Sequence, residues 1–189
     1  MDDNNEIYYI GVSGHRDLKK EEMENYRRQI VDVLKKIKAK EPTKVWRVLS
    51  PLADGADRLA VSAAKDLGIE YEVLLPMDRS LYERDFDARS LSEFRSLLSE
   101  ALSVHIAPLC EGCTDNNIAD YGEWRDRQYQ KMGYALVDRV DRMLFLWDGK
   151  RKWVTGGTYD VLRYALLRSK PFEIIPVRRS RKDDSFIVR

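Results

Sequence analysis

The stretch Ile7–Asp17, IYYIGVSGHRD, limits the fold more than any other part of the chain. An apolar and aromatic run of strand formers stops at Gly-Val-Ser-Gly, and a long charged amphipathic segment follows. That order predicts a buried strand, a tight turn of small residues and a helix, the opening unit of a nucleotide-binding α/β sheet. Small residues at such a turn let a ligand approach the backbone. The first amides of the helix then face it with partial positive charge, which favours phosphate. Gly11 and Gly14 do not complete the three-glycine dinucleotide pattern, so a tight turn without a ligand explains them equally well.

The same unit recurs downstream. Asp17 is expected to cap a helix running to about Lys40, with Met23, Tyr26, Ile30, Val33, Leu34 and Ile37 at helical spacing. Lys44–Ser50 reads as a second strand, followed by the turn Pro51–Asp57 and a small-residue helix over Arg58–Leu67 closed by Gly68. Tyr71–Leu75 reads as a third strand, and Met77–Arg89 as a long polar and aromatic connection over the C-terminal edge of the sheet. Ser90-Leu91-Ser92-Glu93 has the form of a capping box opening a helix that carries Phe94, Leu97, Leu98 and Ala101. Val104–Leu109 is expected as a fourth strand and Cys110–Ala119 as turns. Tyr121–Arg139 is expected as a helix with Trp124, Met132, Ala135 and Leu136 inward. Met143–Trp147 is the most apolar strand and belongs in the sheet interior. A charged loop over 148–154, a helix opened by Gly156-Gly157-Thr158 and a strand over Phe172–Val177 complete the pattern. Strands separated by helices imply right-handed crossovers, hence a mainly parallel, doubly wound α/β sheet with helices on both faces. Residues 1–177 read as one domain and 178–189 as a basic tail.

Bulk properties narrow the function. At 189 residues the chain can bury a substantial core without metal or disulfides. A formal net charge of +1 argues against coating nucleic acid or an anionic membrane, so neither is an expected partner. The acidic start MDDNNE is unlike a targeting peptide, and no apolar run reaches membrane-spanning length. Cys110 and Cys113 read as two thiols in a reducing cytosol, which makes the cytoplasm the expected compartment. Their spacing is half a zinc site without a second ligand pair, and no metal or cofactor is expected. His105, within a strand, reads as a buried and satisfied histidine.

Ligands of open parallel sheets sit outside the carboxyl ends of the strands. Four informative loops fall there, at 13–17, 50–57, 77–89 and 148–160. His15 and Arg16 offer a titratable ring and a fixed cation to a phosphate, beside Ser13 and Gly14. Gly156 and Gly157 permit backbone contact with an anion, and Thr158 is placed to cap the helix and offer its hydroxyl. Asp57 reads first as a helix cap, beside Gly55, while Asp54 sits where a carboxylate takes ribose hydroxyls. Tyr82 offers a stacking face, and Arg84, Asp85 and Asp87 offer charges for acid–base chemistry on the same segment; a solvated loop explains those charges as well.

Together GVSGHRD (11–17), SPLADGAD (50–57) and WDG…GGTYD (147–160) resemble the SLOG superfamily over almost the whole chain. That Rossmann-like group includes LOG-type phosphoribohydrolases, DprA/Smf DNA-processing proteins and the nucleotide-binding region of TRPM channels. The resemblance implies a nucleotide-derived ligand across Ser13–Arg16, Asp54–Asp57 and Gly156–Thr158, with Asp148 and Tyr82 at its margin. LOG-type enzymes carry PGGxGTxxE. Here Thr155-Gly156-Gly157-Thr158-Tyr159-Asp160 lacks that glutamate or replaces it with Asp160 on a shifted register. The 50–57 turn looks more like the DprA version, and the combination looks most like stand-alone bacterial members of conflict and signalling systems. The resemblance therefore implies a cytoplasmic nucleotide sensor, a homodimer as in other members. One rival is an N-glycosidase using Asp85 or Asp54. Another is a DprA-like single-stranded DNA binder using residues 178–189 and exposed aromatics.

Overall fold

The computed structural model describes residues 6–180. Six strands, β1 (Ile7–Gly14), β2 (Val45–Ser50), β3 (Glu70–Leu75), β4 (Val104–Ile106), β5 (Arg142–Trp147) and β6 (Phe172–Pro176), form one sheet in the order β4-β3-β2-β1-β5-β6. Every pairing is parallel. The helices are α1 (Met23–Lys38), α2 (Ala56–Asp66), the single turn α3 (Arg79–Tyr82), α4 (Ala88–Glu100), α5 (Glu123–Arg139) and α6 (Thr158–Leu167).

Alternation along the strands divides the interior between two faces. Ile10 and Val12 of β1 join Ile30 and Leu34 of α1, Val61 of α2 and Phe94 of α4 in one core. Leu49, Leu74 and Phe145 point the other way and pack with Leu136 of α5 and Val161 of α6. β5 lies between β1 and β6, as its apolar sequence requires. At Gly11 the crossing is so close that a Cβ would come within 2.6 Å of the Met143 sulfur.

The order of strands and long helices matches expectation, with three corrections besides the helix starts: Gly11–Gly14 is no turn but the end of β1, paired with β5; β4 stops at Ile106 rather than Leu109; and the connection over 77–89 carries the single turn α3 and the first residues of α4. Asp17 caps no helix: α1 begins at Met23 behind a short 3-10 turn over Lys20–Glu22. Asp17 instead accepts from Arg179 Nε at 2.9 Å, and its carbonyl accepts from Ser180 N at 2.7 Å. The first residues of the expected basic tail are thus docked on the segment after β1; residues 181–189 lie outside the described residues. Asp87, not Ser90, caps α4, accepting from Ser90 N at 2.9 Å. Gly55 and Gly157 stand at the N-caps of α2 and α6, which puts Asp57 and Thr158 inside the first turns rather than at the caps. Trp124 is 38 % exposed, so the inward stripe of α5 runs one position away from it. Among the described residues no helix is long and apolar enough to cross a membrane.

Candidate functional site

From β1 the chain builds β2, β3 and β4 outward on one side and β5 and β6 on the other, so the strand order reverses between β1 and β5. A crevice opens at such a switch point, outside the carboxyl ends of the strands. The turns around it are pressed together. His15 N donates to Leu146 O at 3.2 Å, and Ala56 N donates to His15 O at 3.1 Å. Gly55 has φ +74°, and a Cβ there would lie 2.4 Å from Arg16 O. Only glycine satisfies both the left-handed backbone and that approach. Gly156, at φ +73°, seats the third turn on α5: its Cβ would lie 2.9 Å from Tyr129 Cβ and from Asp126 O. The first, second and last of the expected loops therefore meet.

Two groupings of ionisable side chains lie at this edge of the sheet. In the first, His15 Nε2 lies 3.1 Å from Asp148 Oδ1, with side chains only 14 % and 8 % exposed. Asp148 Oδ1 is that nitrogen's neighbour, and the same oxygen accepts from Lys150 N at 3.1 Å. Burial lowers the His15 pKa below its usual value, and the Asp148 carboxylate pulls against that shift. The second is centred on Asp85, whose side chain is 3 % exposed. Its Oδ2 accepts from Arg16 Nη1 and Nη2 at 3.2 and 3.3 Å and from the Tyr129 hydroxyl. Its Oδ1 accepts from Arg125 Nη2 at 2.8 Å and the Tyr121 hydroxyl at 3.3 Å. Arg125, 1 % exposed, also donates to Ile118 O and Leu81 O at 2.6 and 3.0 Å. Arg16 lies over the Tyr129 ring, 5.6 Å from its centroid, yet keeps 37 % of its side chain exposed. Beneath it, Asp57 is buried and accepts from Ala53 N at 3.1 Å. Burial pushes its carboxyl up to about 7, while the Arg16 guanidinium and the Ala53 amide oppose that rise.

Several expected site residues take other roles. Tyr82 offers no stacking face: it is 1 % exposed and packs edge-on against Phe86 and Phe94, because its one-turn helix folds into the core. Asp54 is engaged by the Ser90 hydroxyl and by Arg58 Nη1 at 3.0 Å. Gly156 N donates to Asp160 Oδ2 at 2.9 Å and Gly157 N to Val154 O at 2.8 Å, so those two amides serve the turn itself. Asp160 also accepts from Gln130 and Tyr134 and is 1 % exposed; it locks the turn to α5. Ser13 is paired inside the sheet opposite Phe145. His105 has partners in Ser103 and Glu72 but lies on the edge strand with 40 % of its side chain exposed, so it is satisfied without being buried. Cys110 and Cys113 are joined in a disulfide rather than standing as two thiols.

Arg125, Gln128 and Tyr129 escaped notice in the sequence. They occupy the inward stripe of α5, at helical spacing from Met132 and Leu136, which were recognised. A charged and two polar residues in register with an apolar stripe were the available signal.

No family model matches the sequence, and no curated protein matches it. Among solved structures the chain is similar to DNA processing protein A (DprA) from Streptococcus pneumoniae, with TM-score 0.55 and 12 % identity. The match covers 90 % of this chain and 50 % of that one, so the chain spans about half the length of the pneumococcal protein. It is likewise similar to DprA from Helicobacter pylori, described for its single-stranded DNA binding mode, with TM-score 0.54, 15 % identity, and coverage of 93 % of this chain and 68 % of that one. What the chain shares with DprA is a Rossmann-like α/β fold, here a six-stranded parallel sheet with helices on both faces.

Proposed function

We propose that the chain binds a nucleotide-derived small molecule in the crevice between β1 and β5, with its phosphate between Arg16, His15 and the first turn of α6. The observation that carries this reading is the exposed fraction of Arg16 next to the His15–Asp148 pair, at the switch point of the sheet. Tyr129 is the common wall: Arg16 lies on its ring and Gly156 packs on its Cβ, which brings the start of α6 to the same place. The Thr158 and Tyr159 amides have no acceptor within an α-helix and point out of its N-terminus. Binding without turnover fits better than hydrolysis. Asp85 and Asp54, the carboxylates an N-glycosidase would use, are already taken up by arginines and hydroxyls.

The likeness to DprA favours a second reading, single-stranded DNA binding. The crevice lining speaks for a small anion instead, since Arg16, Arg125, His15 and Arg58 each face a carboxylate and leave little net charge for a polyanion. Calorimetry with adenosine monophosphate, ADP-ribose and a thymidine oligonucleotide separates the two. Arg16→Ala is expected to weaken nucleotide binding by about 1.5 kcal/mol or more, at least tenfold, as loss of a charge-assisted hydrogen bond does. Lys36→Ala, on the exposed side of α1, should leave it unchanged. Oligonucleotide binding that is tight, steeply salt-dependent and indifferent to Arg16 would replace the first reading with the second.

A further inference from the structure

The Cys110–Cys113 bridge lies in the turn between β4 and α5, its Cα atoms 5.0 Å apart. The two sulfurs have different surroundings. Cys113 is 8 % exposed, and its Sγ is 3.6 Å from the Trp124 carbonyl oxygen. Cys110 instead lines an open concavity of about 460 Å³ with Glu111, Arg127, Gln130, Lys131 and Tyr134. Arg127 and Lys131 stand one helical turn apart on α5 and line the same concavity, where Arg127 is also paired with Glu123 at 2.7 Å, and Glu111 is the one acidic residue of the lining. Cations beside the more exposed sulfur draw an anionic attacking thiolate to that end of the bridge, and in the reduced pair they favour Cys110 as the thiolate that attacks an oxidised co-reactant. Closing so short a ring removes less chain entropy than a long-range bridge does, so stability alone gives little reason for it. The Cys110 amide is held by Gln128 Oε1 at 2.8 Å, so the attacked end stays fixed against α5.

We propose that Cys110 and Cys113 form an exchange-active dithiol–disulfide pair, with Cys110 the attacked sulfur, Cys113 the leaving thiolate, and an anionic low-molecular-weight thiol of the glutathione class as co-reactant. The co-reactant's thiolate attacks Cys110 Sγ and forms a mixed disulfide. The Cys110–Cys113 bond breaks, and its electron pair leaves on Cys113 Sγ, which takes a proton from water. A second thiolate attacks the co-reactant's sulfur in the mixed disulfide and releases Cys110. The chain is thereby reduced by two electrons, and two thiols leave as one disulfide. In the reverse direction an oxidised co-reactant closes the bridge.

The test uses the full chain, oxidised with glutathione disulfide and then exposed to millimolar glutathione under native conditions, with alkylation and peptide mass mapping. The expected result is a bridge that forms and opens without unfolding, with the glutathione adduct on Cys110. Cys113→Ser should trap that adduct, and Cys110→Ser should leave Cys113 unmodified. Arg127→Ala with Lys131→Ala should slow the reaction severalfold with glutathione and less with uncharged 2-mercaptoethanol. Failure of glutathione disulfide to form the bridge overturns the proposal. So does resistance to reduction until denaturant is added, adducts on Cys113, or rates indifferent to the two cations. The wild-type mapping decides the matter even if a serine variant fails to fold.

Discussion

Two carboxylate-centred groupings share the C-terminal edge of the sheet, and they differ in how completely they are satisfied. Asp85 accepts from two arginines and two tyrosines and is almost wholly enclosed. Asp148 has fewer partners: its Oδ1 accepts from Lys150 N and lies 3.1 Å from His15 Nε2, and no arginine among the described residues reaches it. A saturated carboxylate holds α5, the β1 turn and the α3–α4 segment together. An unsaturated pair keeps bonding capacity for a ligand. The Asp85 carboxylate thus serves architecture, while Asp148 and the exposed edge of Arg16 keep capacity for recognition, and the number of partners decides which.

The largest effect should come from breaking the saturated side. Asp85→Ala leaves Arg125 buried without its carboxylate, and removing one partner of a buried pair costs about 3–5 kcal/mol. A melting temperature lower by roughly 6–20 °C is expected for a domain of this size. Asp148→Ala should lower it by much less and should instead weaken nucleotide binding. Equal losses in both variants would erase the distinction between the groupings.

Next in size is a pH effect at Asp57, between the two. Its carboxyl is raised to about 7 in the folded chain, against about 3.9 unfolded, so the folded state holds the extra proton between those values. Its contribution is therefore fully present below about pH 4 and is lost as pH rises towards 7. In chemical denaturation, wild type should lose stability relative to Asp57→Asn by at most about 1.4 kcal/mol per pH unit across that window. Above pH 7 the difference should stay level. A difference constant from pH 4 to 8 would mean that Arg16 already keeps Asp57 ionised.

The smaller effects compare two glycines with nearly the same φ. Gly55→Ala combines φ +74° with a Cβ 2.4 Å from Arg16 O and should cost about 2 kcal/mol or more, since the left-handed backbone alone costs about 1–2 kcal/mol. Gly149→Ala has φ +79° but nothing within 4 Å, so only the backbone cost of about 1 kcal/mol remains. Similar denaturation midpoints for the two variants would show that the close approach between the first two turns is easily relaxed.

Much of the fold was legible because its signals are local. The strand formers of Ile7–Ile10, the helical spacing of Tyr26, Ile30, Leu34 and Ile37, and Gly68 at φ +64° after α2 each act within a few residues. The helix starts were misread where a local rule met a tertiary competitor. Asp17 has the chemistry of a cap, yet Arg179 and Ser180, far along the chain, claim it. Tyr82 looked like a surface aromatic within a polar stretch until α3 turned it against Phe94.

By itself the sequence determined the order of strands and helices, their parallel crossovers and their buried faces, because backbone propensity and apolar periodicity work over one or two turns. Only the tertiary structure decided the strand order β4-β3-β2-β1-β5-β6 and the place of its reversal. It alone decided that Asp85 meets Arg16, Arg125 and Tyr129 from 69, 40 and 44 residues away. Whether a carboxylate is spent on the fold or left for a ligand depends on how many donors the packed chain brings to it, and those donors come from helices and turns with no local relation to one another.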